Sequence, residues 1–193
     1  MKKSLLVASV AALSLSASLA HADEALGRAG AISVSGAVPV LGVAMVKPAT
    51  GDSLTVTSVG PSLSIGSFAV NYWVTNDITL GGALQFSSND RGKDSSSMTI
   101  APSIGYRVAM GDATLWPKLQ PIYVSSTTKS ATGTDVTASS FGVGVEVPYL
   151  WTRGAFFHGP ALNLAVDLSS KNGDADGPKT TAIGVSYQVG GSF

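Results

Sequence analysis

The chain has no cysteine, so neither a disulfide nor a thiolate-held metal can staple it, and its stability has to come from backbone pairing and burial. Charge is scarce as well: Asp, Glu, Lys and Arg together make up 12% of the 193 residues. Basic and acidic side chains are equal in number, 12 of each, and form no basic run. Nothing therefore concentrates positive potential for phosphates, which argues against nucleic acid as a partner. Only two histidines occur, His21 and His158. Beyond residue 22 there is no uninterrupted apolar stretch of the ~20 residues that a spanning helix needs, although 45% of the chain is hydrophobic. Long Ala/Leu/Glu/Lys segments that favour helices are missing too. The hydrophobicity is delivered by alternation instead.

The first residues do not share this pattern. Met1-Lys2-Lys3 precedes an apolar stretch from Leu5 to about Leu19, and Ala20-His21-Ala22 follows it. That order of charge, apolar core and small residues predicts a cleavable signal peptide over 1–22. An uncleaved anchor is the alternative, but Ser9, Ser14, Ser16 and Ser18 interrupt the core, which is short for a spanning helix. The remainder, 23–193, is 171 residues long and fits one domain. Without Lys2 and Lys3 it carries ten basic and twelve acidic side chains, a net charge of −2.

Period-two alternation is clearest at the end of the chain, where Ile183, Val185, Tyr187, Val189 and Phe193 alternate with small or polar residues. The same pattern runs from Ile78 to Ser87, from Ser96 to Val108, from Ser140 to Trp151 and from Phe156 to Leu168. Three further strands are less regular: 31–46, 54–75 and 114–125. The second changes phase between Ile65 and Phe68, which predicts a bulge at Gly66-Ser67. Pro39, Pro61, Pro117 and Pro121 each remove a ladder donor and count against central strands. Tight turns are expected at 75–77, 110–113 and 152–154. They alternate with polar links at 47–53, 88–95, 126–139 and 169–179. Three short and four long connections are what eight up-and-down strands produce when both termini lie on one side.

Alternation alone does not say which face is wet. A soluble barrel would turn its apolar face inward and cover the other with charge. Here the opposite face is mostly Gly, Ala, Ser, Thr, Gln and Asn, with charges limited to Arg107, Lys118, Glu146 and Asp167. The expected fold is therefore all-β: an eight-stranded antiparallel up-and-down transmembrane β-barrel, apolar outside over a band of roughly 25 Å. Aromatic residues near the short turns are expected to form a girdle on that side: Tyr72, Trp73, Tyr106, Trp116, Tyr149 and Trp151, with Phe156 and Phe193. Aromatics filling a soluble core would instead sit in mid-strand.

At this level the chain resembles the small eight-stranded outer-membrane barrels similar to OmpX and the OmpA membrane domain. The residues that carry the likeness are the expected signal peptide, Gly-Gly-Ala-Leu-Gln-Phe at 81–86, Ala-Pro-Ser-Ile-Gly-Tyr-Arg at 101–107, Phe-Gly-Val-Gly-Val-Glu-Val at 141–147 and the ending Gly-Val-Ser-Tyr-Gln-Val-Gly-Gly-Ser-Phe at 184–193. The resemblance covers nearly all of 23–193 and is specific for architecture rather than activity. It implies residence in a bacterial outer membrane, with outer-membrane lipids and lipopolysaccharide as partners. It also implies that Phe193, with Tyr187, is the recognition signal for the barrel-assembly machinery. No peptidoglycan-binding domain follows the barrel, so a cell-wall anchoring role is not implied.

Chemistry would sit in the lumen or on the links. Hairpin arithmetic brings Arg107, Lys118 and Glu146 into one cluster in the periplasmic half, as a gate or, more simply, as a salt-bridged plug that pairs buried charge. Asp167 falls nearer the outer mouth. His158 lacks the nucleophile and orienting group that a general base requires, and it reads as an interfacial residue. No metal constellation, cofactor motif or catalytic carboxylate pair is evident, and mixed charges at 90–94 and 171–179 read as solvated loop tips. The expected function is non-enzymatic: a structural, surface-interaction or envelope-integrity role. The alternatives are a narrow pore for small or hydrophobic solutes and, third, a lipid A-modifying enzyme.

Overall fold

The computed structural model describes residues 26–59, 67–89, 95–129 and 135–193. The expected leader at 1–22, Gly66 of the expected bulge and the charged 90–94 link lie outside the described residues. Within them the chain forms β1 (Ile32–Lys47), β2 (Leu54–Val59), β3 (Ser67–Trp73), β4 (Ile78–Asn89), β5 (Ser95–Tyr106), β6 (Val108–Met110), β7 (Ala113–Leu115), β8 (Lys118–Lys129), β9 (Asp135–Arg153), β10 (Phe156–Asn172), β11 (Ala175–Asp176) and β12 (Lys179–Ser192). Every pairing is antiparallel. β2 and β3 lie end to end along β1 as one stave, and β6 and β7 continue β5 and β8 toward a two-residue turn. β9 pairs with β10, β10 with β12, and β12 with β1 over its full length, which closes a ring of eight staves.

Side-chain direction follows the alternation. Leu84, Ile104, Leu164 and Tyr187 are 40–52% exposed on the outer surface, whereas Ser103 and Gln188 are buried inside. On β9 the outward series Phe141, Val143, Val145, Val147, Tyr149 and Trp151 covers eleven residues and ten steps along the strand, with Ser139 beyond one end and Arg153 beyond the other. At a rise of ~3.3 Å and a tilt of ~40° this is about 25 Å of apolar height, the thickness of an outer-membrane hydrocarbon layer. With no water there to accept backbone hydrogen bonds, a closed ring is the one sheet arrangement that leaves no edge.

Proline marks the places where the ladder is imperfect. β1 shifts register against β12 between Pro39 and Leu41, so that Val40 and Leu41 both face outward and the inward set changes from odd to even numbers. A second shift between Asp167 and Ser169 does the same on β10. Pairing of β5 with β8 is interrupted between Ile100↔Tyr123 and Ile104↔Leu119, the stretch that sets Pro102 against Pro121. Neither proline has a donor to give. The expected link at 126–139 is largely strand: pairing runs out to Lys129↔Asp135, and Thr127 Oγ1 lies 3.4 Å from Thr137 Oγ1. Cross-strand hydroxyl pairs, including Ser87 with Ser97 at 2.8 Å, replace apolar contacts above the belt. At the β10–β11 tip the Lys171 ammonium donates to Asp176 at 2.7 Å and holds that exposed carboxyl below its ordinary range.

Outward orientation of the apolar face has a direct consequence for substitution. Leu164→Arg, at mid-height of the belt, lowers the unfolding free energy in a bilayer by about 2–4 kcal/mol. The neighbouring lumen change Ala165→Ser stays within about 0.5 kcal/mol. Urea titration of the two variants in vesicles measures the difference; equal costs would mean that Leu164 is not in lipid.

Candidate functional site in the barrel lumen

The short-turn end of the lumen is plugged. Trp73 and Trp116 stack with ring centroids 5.1 Å apart, Phe157 meets Trp116 edge-on at 6.3 Å, and Leu150 and Leu26 complete a fully apolar layer. All four side chains from Trp73, Trp116, Leu150 and Phe157 are inaccessible to solvent. The indoles keep their polar ends satisfied: Trp73 Nε1 donates to Ser33 Oγ at 2.7 Å, and Trp116 Nε1 to Thr79 Oγ1 at 3.1 Å. Space for the plug comes from a residue with no side chain, since a Cβ at Gly190 would overlap the Phe157 ring.

This overturns one expectation. Trp73 and Trp116 do not belong to the outer girdle. Trp73 follows Tyr72, and in an extended strand adjacent residues point to opposite faces, so only one of the two could face outward. Tyr72, Tyr106 and Trp151 do face outward, 42–54% exposed, and Tyr149 packs edge-on against Trp151 at 5.4 Å. Leu150 and Phe157 are plug residues that the alternation pattern does not single out. Their signal was a large apolar residue in the otherwise small or polar phase next to a short turn.

Beneath the plug the segment 26–31 folds across the opening. Gly30 N donates to Trp73 O at 2.8 Å and Ala29 N to Asn76 Oδ1 at 3.0 Å. Arg107 Nη1 donates to the Leu26 carbonyl at 2.7 Å, and Nε lies 3.8 Å from Asp77 Oδ1. Gly27 turns at φ +89° directly over the guanidinium, where a side chain would collide with it. Arg107 is therefore not part of a cluster with Lys118 and Glu146. The strand breaks at Arg107, between β5 and β6, and the side chain turns toward the N-terminal segment.

Above the plug lies the ionic layer. Lys118 Nζ sits 4.1 Å from the centroid of the Trp116 ring and 3.0 Å from Glu146 Oε2, with Gln188 Nε2 donating to Glu146 Oε1. Lys118 is almost wholly buried, so its charge requires this partner. Over the pair opens a cavity of about 160 Å³, with Ala37, Ala69, Ala83 and Ala101 in its walls and Gln85, Asn163 and Gln188 among its polar lining. A wider space of about 340 Å³ shares Ala37, Gln85, Glu146 and Asn163 with it and extends toward the outer mouth. Asp167 lies in that half and accepts a bond from Thr180 N at 2.9 Å. The lumen is thus a blind well, polar at its floor and closed on the short-turn side.

His158 is outside the lumen. Its Nδ1 lies 2.7 Å from the Tyr187 hydroxyl. Among the described residues no group of three or more His, Asp or Glu is placed to hold a metal ion.

No family model matches the chain, and no curated protein matches it. Solved structures do. Neisserial surface protein A aligns over 85% of this chain and 99% of its own, at 15% identity and a TM-score of 0.58. The outer membrane protein OprG from Pseudomonas aeruginosa aligns over 86% of this chain and 97% of its own, at 11% identity and a TM-score of 0.51. The chain has the fold of the small eight-stranded outer-membrane β-barrels. At such identities the likeness concerns architecture, and the plug, the ionic layer and the well are features of this barrel's own sequence.

The ionic layer sets up a double-mutant test. Lys118→Met or Glu146→Gln alone strands one buried partner and costs about 3–5 kcal/mol. The double variant recovers most of that loss, because a neutral pair leaves no uncompensated charge. Urea unfolding followed by tryptophan fluorescence reads all three variants.

Proposed function

We propose that the protein is a non-enzymatic integral barrel of a bacterial outer membrane, exported through a leader cleaved after residue 22, with a role in surface interaction or envelope integrity rather than transport. The observation that carries this reading is the apolar plug of Trp73, Trp116, Leu150 and Phe157, strapped from beneath by 26–31. A solute that entered the well would meet this layer before reaching the periplasm. Eight staves leave a lumen that side chains fill, and here the largest of them fill one end.

The strands rise beyond the apolar belt into paired, hydroxyl-rich extensions, which supports contact with saccharide-bearing surfaces, lipopolysaccharide among them. The hydroxyls of Ser and Thr both donate and accept, and they are held on a rigid sheet. Phe193, 42% exposed, closes the final rung: its N donates to Ile32 O and its O accepts from Ile32 N, both at 2.9 Å. That placement suits a terminal signal read by the barrel-assembly machinery together with Tyr187. The pore reading has the well in its favour and the plug against it. The lipid-modifying reading has only His158, whose ring is engaged by a phenol rather than by a serine nucleophile.

Planar-bilayer recording separates these readings. The purified barrel gives no discrete conductance steps, while the variant with Trp73→Ala and Trp116→Ala, if it retains heat-dependent gel mobility, gives steps through the unplugged lumen. Persistent steps from the unaltered protein would establish the pore reading instead. Overexpression leaves the mass spectrum of lipid A unchanged; an altered spectrum that reverts in His158→Ala would establish the enzyme.

A further inference from the structure

The lipid-facing side of the barrel carries one polar arrangement that neither the plug nor the well explains. His158 lies on the outward face of β10, opposite Trp151 of β9 and Val189 of β12. Its ring stands 5.8 Å from Trp151, 5.7 Å from Phe156 and 6.1 Å from Tyr187, with Nδ1 on the Tyr187 hydroxyl at 2.7 Å. An ionisable ring within an apolar belt is costly and needs partners. One ring nitrogen has the phenol; the second is available to a ligand.

Arg153 stands one step nearer the turn. It pairs with Phe156 where Trp151 pairs with His158, so it shares their face and lies about 7 Å closer to the periplasmic rim. Its cross-strand neighbour is apolar, the turn beside it is Gly154-Ala155, and among the described residues it makes no ion pair, with Asp112 of the adjacent turn or any other carboxylate. The result is an uncompensated guanidinium immediately beyond Trp151, at the level where hydrocarbon gives way to headgroups. An imidazole and a phenol lie just inside that level, with Trp151 and Phe156 exposed around them.

We propose that this face of β9, β10 and β12 binds an anionic glycerophospholipid of the inner leaflet, Arg153 and His158 holding the phosphate and the Trp151 and Phe156 rings supporting the glycerol and first acyl carbons. The guanidinium fork matches phosphate oxygens in pairs. The aromatic surround selects a lipid over free phosphate, because only a lipid brings an acyl chain to cover those rings. The proposal rests on the reading that the barrel spans a bilayer, and goes beyond it by assigning a lipid class to a place.

The tryptophans provide the assay. Of three in the chain, Trp73 and Trp116 are sealed in the lumen and Trp151 alone among them is exposed, so bromine on acyl chains quenches Trp151 by contact. The barrel is reconstituted in vesicles of phosphatidylcholine with either dibrominated phosphatidylglycerol or dibrominated phosphatidylcholine at equal mole fraction. The expected result is a two- to fivefold local enrichment, approximately, of the glycerol lipid over the choline lipid. The enrichment disappears in Arg153→Gln/His158→Gln and survives in Lys179→Gln, which removes the same charge at the other rim. Equal quenching by both lipids in the unaltered protein overturns the site, as does enrichment that persists in the double variant or is lost in Lys179→Gln. Absence of quenching by either lipid would instead overturn the bilayer reading itself. Heat-shifted gel mobility of each variant confirms that the barrel has folded.

Discussion

Hydrocarbon offers no hydrogen-bond partner, and the rest of this structure is a response to that constraint. Each backbone N–H and C=O within the belt must be satisfied by a neighbouring strand, so the sheet has to close. Closure by eight staves then fixes how little room is left inside. The same requirement explains the low charge. A charged side chain on the outer face would sit in lipid, and one on the inner face must find a partner within a narrow lumen. Lys118 is the clearest instance: it is inward, nearly sealed, and held between Glu146 and the face of Trp116.

Filling the lumen unevenly gives the barrel a polarity that strand pairing alone does not. Large rings collect at the short-turn end and alanines line the middle, while a Ser87–Ser97 hydroxyl pair lies toward the far end. Because the interior is close-packed at one end and open at the other, the molecule is stiff below and accessible above. Segment 26–31 reinforces this arrangement, since Arg107 ties the Leu26 carbonyl across the plug.

Much of this architecture was legible in the sequence because period two is a property of the pleat itself. Strand number follows from the phase of residues such as Leu84, Ile104 and Leu164 together with the alternation of short and long connections, and the outward sense of the apolar face follows from the scarcity of charge on the opposite one. What was not legible depends on departures from that phase. Arg107 was expected beside Lys118 by counting through a hairpin, but the strand breaks at Arg107 and its side chain leaves the series. Trp73 and Trp116 were grouped with the girdle by residue type and proximity to turns, although the adjacency of Tyr72 and Trp73 already forbade it. The Ser/Thr stretches around Thr127 and Thr137 read as loop on composition, because hydroxyl pairing across a ladder leaves no hydrophobic trace.

Closure also imposes an order on folding. The β1–β12 seam joins Ser33 to Ser192 and Lys47 to Lys179, the greatest sequence separations in the ring, whereas the remaining seams join neighbours along the chain. Loop-closure entropy makes such a seam the slowest to gain from pairing. Until it forms, two strand edges lack a partner, and in lipid an unpaired edge is heavily penalised. That penalty explains why the seam is so complete. It runs fourteen paired positions with a single register shift, at Pro39/Leu41, and is sealed by reciprocal bonds between Ile32 and Phe193 and by a Ser33–Ser192 hydroxyl contact of 3.0 Å inside the lumen. Trp73 donates to that same Ser33 hydroxyl. The plug is thereby coupled to the seam: the indole that closes the lumen finds its hydrogen-bond partner on the strand that closes the barrel.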